Sequence, residues 1–175
     1  MTKNILLAGF GGQGIQFAGK QLANAGIAND KYVTFLPSYG PESRGGTSYC
    51  GVIISDEEIG SPIVNKPDVL MIFNLPSFEK FEPSLKSGGI LFSDSSLVNK
   101  ISWRDDLGGT YYVPATSLAS DNDLTGMANV IMLAKMLAVT KIFNRDEFLE
   151  NMLKGIRAEL GDRNRRAFNL GFSYK

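Results

Sequence analysis

Apolar residues fall along this chain in short blocks and periodic stripes that alternate between strand and helix. The block Ile5-Leu6-Leu7-Ala8, within Lys3 to Ala8, predicts a strand buried on both faces, as in a parallel sheet. A glycine turn, Gly9-Phe10-Gly11-Gly12-Gln13-Gly14, follows it. Ile15, Ala18, Leu22 and Ala25 then recur at helical spacing, which predicts a helix from about Gln13 to Ala28. Gly19 and Gly26 lie inside that helix at a cost of about 1 kcal/mol each against alanine, a concession to close packing. Tyr32-Val33-Thr34-Phe35-Leu36 is a second strand, which Pro37 should end. Strand, turn, helix and strand make one βαβ unit.

Further on, Ser38-Tyr39-Gly40-Pro41-Glu42-Ser43-Arg44-Gly45-Gly46 is a long loop carrying an acid, an arginine and hydroxyls among glycines, a composition that favours function. Thr47 to Ser55 is rich in β-formers and reads as a strand. Cys50 within it reads as a small buried hydrophobe. Gly60 to Pro67 is a connector. Asp68 to Phe73 is a strongly apolar strand with Asn74 at its end, and Pro76-Ser77-Phe78-Glu79-Lys80-Phe81 starts a helix with proline in the first turn. Strands follow at Ile90-Leu91-Phe92, ending near Asp94, and at Tyr111-Tyr112-Val113. Gly126 to Thr140 has only Asn129, Lys135 and Thr140 as polar residues, so it should be a helix buried nearly all round, part of it facing another chain. Asn144-Arg145-Asp146-Glu147 resembles a capping box opening a helix with Phe148, Leu149, Met152 and Ile156 on one face. Arg163, Arg165 and Arg166 read as a solvated helix end, not as a nucleic-acid surface.

The alternation of strands and helices predicts an α/β fold. At 175 residues, a single domain over 1–175 is expected. The 18 basic and 18 acidic side chains cancel, so no global field recruits nucleic acid or an anionic membrane. No apolar run reaches the ~18 residues of a membrane span, and a cytoplasmic protein is expected. One cysteine cannot alone hold an iron–sulfur cluster or structural zinc. The chain has no histidine, which removes the usual general base and the commonest metal ligand. It reads as a subunit that positions something, with no catalytic residue of its own and no metal site.

The turn satisfies G-x-G-x-x-G in a strand–turn–helix context, the dinucleotide fingerprint. An ordinary nicotinamide site would place an acid at the end of the second strand to hold the ribose. That strand ends Phe35-Leu36-Pro37-Ser38, with no acid; Asp30 sits at its wrong end. No Gly-Lys-Ser/Thr follows, so a Walker A loop is excluded. The loop is left as a backbone-amide cradle for a cofactor, a shared substrate or a partner, or as a turn that needs glycine only for packing.

Leu7 to Ile15, together with Tyr39-Gly40-Pro41-Glu42-Ser43-Arg44-Gly45-Gly46, resembles the γ subunit of 2-oxoacid:acceptor oxidoreductases. Ile59-Gly60-Ser61-Pro62, Lys86-Ser87-Gly88-Gly89, Asp94-Ser95-Ser96 and Gly126-Met127-Ala128-Asn129 are similar too, in order along the whole chain. The fit is to the 2-oxoglutarate:acceptor branch, with pyruvate, branched-chain and indolepyruvate relatives as competitors and a free-standing nucleotide-binding oxidoreductase as the rival class. The resemblance implies a Rossmann-like three-layer αβα sandwich with a mostly parallel or mixed sheet. It implies α and β subunits holding thiamine diphosphate and Mg2+, a ferredoxin-like δ subunit, iron–sulfur clusters on those partners, and ferredoxin or a similar acceptor. Coenzyme A would be a co-substrate near the glycine loop, giving binding roles to Gly9, Phe10, Gly11, Gly12, Gln13 and Gly14. Gln13 would act as a side-chain donor, with Glu42, Ser43 and Arg44 on the neighbouring loop. Asn74 and Asp94, ending later strands at the same rim, are weaker candidates.

Overall fold

The computed structural model describes residues 1–38 and 47–175. Six strands, β1 (Thr2–Phe10), β2 (Tyr32–Ser38), β3 (Thr47–Ser55), β4 (Val69–Ile72), β5 (Ile90–Asp94) and β6 (Gly109–Val113), form one sheet in the order β2-β3-β1-β4-β5-β6. The pairs β1/β4, β4/β5 and β5/β6 are parallel, whereas β3 runs antiparallel to both β1 and β2. The sheet is therefore mixed. The expected βαβ unit is modified accordingly: β3 is inserted between β1 and β2, which do not pair.

Helices cover both faces. On one, α1 (Ile15–Ala28), α3 (Ala115–Asp121), α4 (Ala128–Thr140), α5 (Arg145–Lys154) and α6 (Ala158–Ser173) bury Ile5, Leu7, Met71 and Phe92. On the other, α2 (Leu75–Phe81) and the 3-10 turn Glu82–Ser84 sit over Leu6, Ala8, Leu70 and Ile72. The two sets come from alternate residues of the same strands, the period of a pleated sheet covered twice.

Pro37 does not end β2. It pairs with Cys50 inside the strand, which a proline can do because β2 is the sheet's edge and its missing N–H faces away from the ladder. Inside α1, a Cβ on Gly19 would lie 2.5 Å from Cys50 Sγ, so the helix sits close over β3 as its sequence suggested.

The apolar helix α4 has no exposed residue and packs against α6, α3, α1 and β5. The expectation that part of it would face another chain is corrected. The cover is α6, which approaches so closely that a Cβ on Gly171 would meet the Ile131 carbonyl oxygen at 2.1 Å. The arginines of residues 163–166 lie in the middle of α6, not at a solvated end. Arg163 donates to the Thr125 carbonyl and Arg166 to the Asn122 carbonyl, tying down the turn between α3 and α4. At the start of α5, the Asn144 side chain accepts from the N–H groups of Asp146 and Glu147, as its position predicts.

Candidate functional site

β1 and β4 lie side by side and parallel, and the chain leaves them towards opposite faces, into α1 from β1 and into α2 from β4. The crevice beyond their carboxyl ends is a topological switch point, where open α/β sheets place ligands. Gly9 to Gly14 lies there.

Gln13 holds this loop in shape. Its N–H donates to the Phe10 carbonyl at 3.2 Å, its Oε1 accepts from the Phe10 N–H at 2.6 Å, and its Nε2 donates to the Phe73 carbonyl at 3.1 Å. The amide expected to face a ligand is thus committed within the protein, closing the turn and fastening it to the end of β4. Gly9 is buried beneath that amide, and a Cβ there would sit 2.5 Å from Gln13 Oε1. Gly12 and Gly14 have φ of 95° and 75°, a region strained for any side chain. Gly11 and Gly12 are exposed, and nothing lies within 4 Å of where a Gly12 Cβ would be.

Gly14 caps α1. Its carbonyl accepts from Ala18 N–H at 3.0 Å and from Asn129 Nδ2 at 3.2 Å. Asn129 stands in the first turn of α4, so one hydrogen bond joins the starts of two helices. Neither helix has an acidic residue in its first turn. The positive ends of both dipoles are therefore uncompensated by their own side chains.

Between these helix starts lies a cavity of about 310 Å³, lined by Gly12, Gln13, Phe73, Thr116, Ser120 and Gly126. Leu97, 47% exposed, forms an apolar lip. The cavity offers backbone N–H groups and hydroxyls to an anion, with apolar surface beside them. Among the described residues, no group of three or more His, Cys, Asp or Glu could hold a metal ion. Among the same residues, no helix is long and apolar enough to cross a membrane.

Asp94 is occupied structurally, and Asn74 is so at its oxygen only, its Nδ2 being buried without a partner. Asn74 Oδ1 accepts from Ser77 N–H at 2.8 Å and caps α2. Asp94 is fully buried and accepts from the Ser96 N–H and from the Thr116 N–H and hydroxyl, which anchors α3 beside the cavity. Glu42, Ser43 and Arg44 lie outside the described residues. Sequence reasoning missed α3, whose Thr116, Ala119 and Ser120 form one wall. It also missed the role of Asn129, although a lone asparagine opening an otherwise apolar helix was the available signal.

Residues 4–174 match the family described as Pyruvate ferredoxin/flavodoxin oxidoreductase. The chain is 36% identical over 174 residues to the 2-oxoglutarate synthase subunit KorC of Methanocaldococcus jannaschii, covering 98% of this chain and 93% of that one. It is 42% identical over 135 residues to the ketoisovalerate oxidoreductase subunit VorA of Methanothermobacter marburgensis. That match takes in 77% of this chain but only 28% of the longer VorA sequence. Among solved structures, the γ subunit of a keto/oxoacid ferredoxin oxidoreductase from Geobacter sulfurreducens superposes with a TM-score of 0.86 at 30% identity, covering 98% of this chain and 95% of that one.

Proposed function

This chain belongs to the pyruvate ferredoxin/flavodoxin oxidoreductase family, and from that membership we propose that it is the γ subunit of a 2-oxoglutarate:ferredoxin oxidoreductase. The reaction converts a 2-oxoacid and coenzyme A to acyl-CoA and CO2 and passes two electrons to ferredoxin; with 2-oxoglutarate the product is succinyl-CoA. The observation that carries the reading is the end-to-end likeness to a subunit of a 2-oxoglutarate synthase, with both chains covered almost completely.

In this reading, α and β subunits carry thiamine diphosphate and Mg2+, which supply the decarboxylation, while iron–sulfur clusters there and on a ferredoxin-like δ subunit conduct the electrons. This chain positions coenzyme A. The exposed amides of Gly11 and Gly12 and the uncompensated starts of α1 and α4 attract a phosphate or carbonyl oxygen. Gln13 keeps the amides in place by fixing the turn from inside. Glu42, Ser43 and Arg44 are the further residues assigned to coenzyme A in this reading, the arginine by its chemistry suited to bidentate contact with a phosphate. No residue of the chain acts in the chemistry.

The ketoisovalerate relative has the higher identity over its shorter match, which favours a branched-chain 2-oxoacid as the second reading. Native co-purification followed by mass spectrometry identifies the partners, and assay of the complex on 2-oxoglutarate, 2-oxoisovalerate, pyruvate and indolepyruvate separates the two. The first reading expects coenzyme A-dependent reduction of ferredoxin with 2-oxoglutarate as the preferred substrate. Turnover by the isolated chain, or purification without any thiamine-binding partner, would overturn it.

A further inference from the structure

Helix α3 lines the cavity of about 310 Å³ but does not cap its own start. Its N-cap residue is Pro114, whose side chain holds no acceptor. A helix start leaves N–H groups without helical partners, and two of those in α3 are met from the end of β5 and the turn beyond it. Asp94 Oδ2 accepts from the Thr116 N–H at 3.1 Å and from the Thr116 hydroxyl at 2.6 Å, and Ser96 Oγ accepts from the Ser117 N–H at 3.0 Å. Asp94 Oδ1 accepts from the Ser96 N–H at 3.0 Å, and the Asp94 carbonyl accepts from the Leu97 N–H at 3.1 Å. One residue therefore holds two parts of the cavity lining, the Leu97 lip and the Thr116, Ala119 and Ser120 face of α3.

Asp94 is itself fully buried, and none of the salt bridges among the described residues reaches it. A carboxylate taken out of water with no cation beside it is a costly way to hold two segments together. What its charge-assisted hydrogen bonds secure in return is fixed geometry. Asp94 does not line the cavity, so its influence on a ligand there passes through Leu97 and α3. We propose that Asp94 is a positioning residue for coenzyme A: it fixes the Leu97 turn against α3, and through them the fit of the part of coenzyme A that enters the cavity. The inference rests on the subunit reading above.

The test uses the assembled enzyme with the 2-oxoacid saturating and coenzyme A varied. In Asp94→Asn, one orientation of the amide sets its NH2 against the Thr116 N–H and the other sets it against the Ser96 N–H, so one tie is lost either way. The KM for coenzyme A should rise about five- to tenfold, with kcat and the KM for the 2-oxoacid within about twofold of the parent. Ser96→Ala, at a half-buried position, removes the acceptor of the Ser117 N–H and should raise the same KM about threefold. Asn144→Ala uncaps α5, a helix that contributes nothing to the cavity lining, and controls for lost stability alone; it should leave the KM for coenzyme A unchanged. An unchanged KM for coenzyme A in both Asp94→Asn and Ser96→Ala, or in Ser96→Ala where Asp94→Asn does not assemble, would overturn the inference and leave the subunit reading in place. So would an equal rise in Asn144→Ala, or a fall in kcat as large as the rise in KM. Ferredoxin reduction that needs no coenzyme A would bring down the subunit reading itself, and this inference with it.

Discussion

Asn129 Nδ2 donates to the Gly14 carbonyl across 115 residues of sequence, and a Cβ on Gly14 would lie 2.3 Å from that same nitrogen. Backbone conformation and tertiary contact thus both demand glycine at this one position. Gly14→Ala should destabilise the chain by about 3 kcal/mol, summing the strain of a positive φ and the overlap. Asn129→Ala alone should cost about 1–2 kcal/mol for the lost hydrogen bond. In the double variant the overlap is gone, so the two losses should fall short of additivity by at least about 1 kcal/mol in urea unfolding. Strict additivity would mean that the helix starts are not coupled here.

Gln13 offers a second test because each end of its amide has a different partner. Gln13→Glu keeps an acceptor for the Phe10 N–H but sets a carboxylate oxygen against the Phe73 carbonyl. It should lose about 1–2 kcal/mol of stability, no less than Gln13→Ala. In the assembled enzyme, both variants should raise the apparent KM for coenzyme A more than they lower kcat. A Glu variant as stable as the parent would show that the tie to β4 contributes nothing.

Much of this architecture was legible in the sequence because the buried stripes are strong. The blocks at Ile5–Ala8 and Val69–Phe73 and the helical spacing of Ile15, Ala18, Leu22 and Ala25 are dictated by burial alone. What escaped was set by tertiary geometry. The insertion of β3 between β1 and β2 depends on pairing across the sheet, which periodicity does not encode. Pro37 reads as a strand end unless β2 is known to be the edge. At the site, the glycine spacing marked the loop, but its lock is a side-chain amide whose partner, Phe73, is 60 residues away. No local pattern distinguishes that Gln13 from one facing a ligand.

Cys50 should be chemically silent in the folded protein. Burial pushes its thiol up to about 12, and its Sγ lies 3.7 Å from the Ile15 carbonyl, to which it donates. At pH 8, the thiolate that reacts with disulfide reagents is then scarce and enclosed. Titration with Ellman's reagent should release no thiolate equivalent within minutes from the native chain and one after denaturation in urea. Rapid reaction of the native chain would place the thiol at an accessible surface, contrary to its packing beneath Gly19.

The acid limb of stability should draw on three aspartates held below the ordinary carboxylate range, Asp106 by its hydrogen bond from Arg104 and two others, Asp68 and Asp56, that differ in exposure. Asp68 is partly desolvated, which by itself would raise its carboxyl. Hydrogen bonds from the Asn4 N–H at 2.9 Å, Lys86 Nζ at 3.0 Å and Asn4 Nδ2 at 3.1 Å outweigh that and hold it below the ordinary 3.8. Asp56, whose side chain is 41% exposed, is held at about 2 by Lys31 and the N-terminal ammonium. For both groups the folded value lies below the unfolded one. Their stabilisation is therefore complete above about pH 4 and is lost as pH falls through the folded value. Urea midpoints should decline below pH 3.8, and Asp68→Asn should flatten part of that decline. The Asp56 share should shrink in 1 M salt, where exposed pairs are screened within about 3 Å, whereas the Asp68 share should persist because its Asn4 bonds do not depend on a distant charge. An acid limb that vanishes entirely in salt would show that the tie between Asp68 and Asn4, which sets the start of β4 against β1, contributes nothing to the pH dependence.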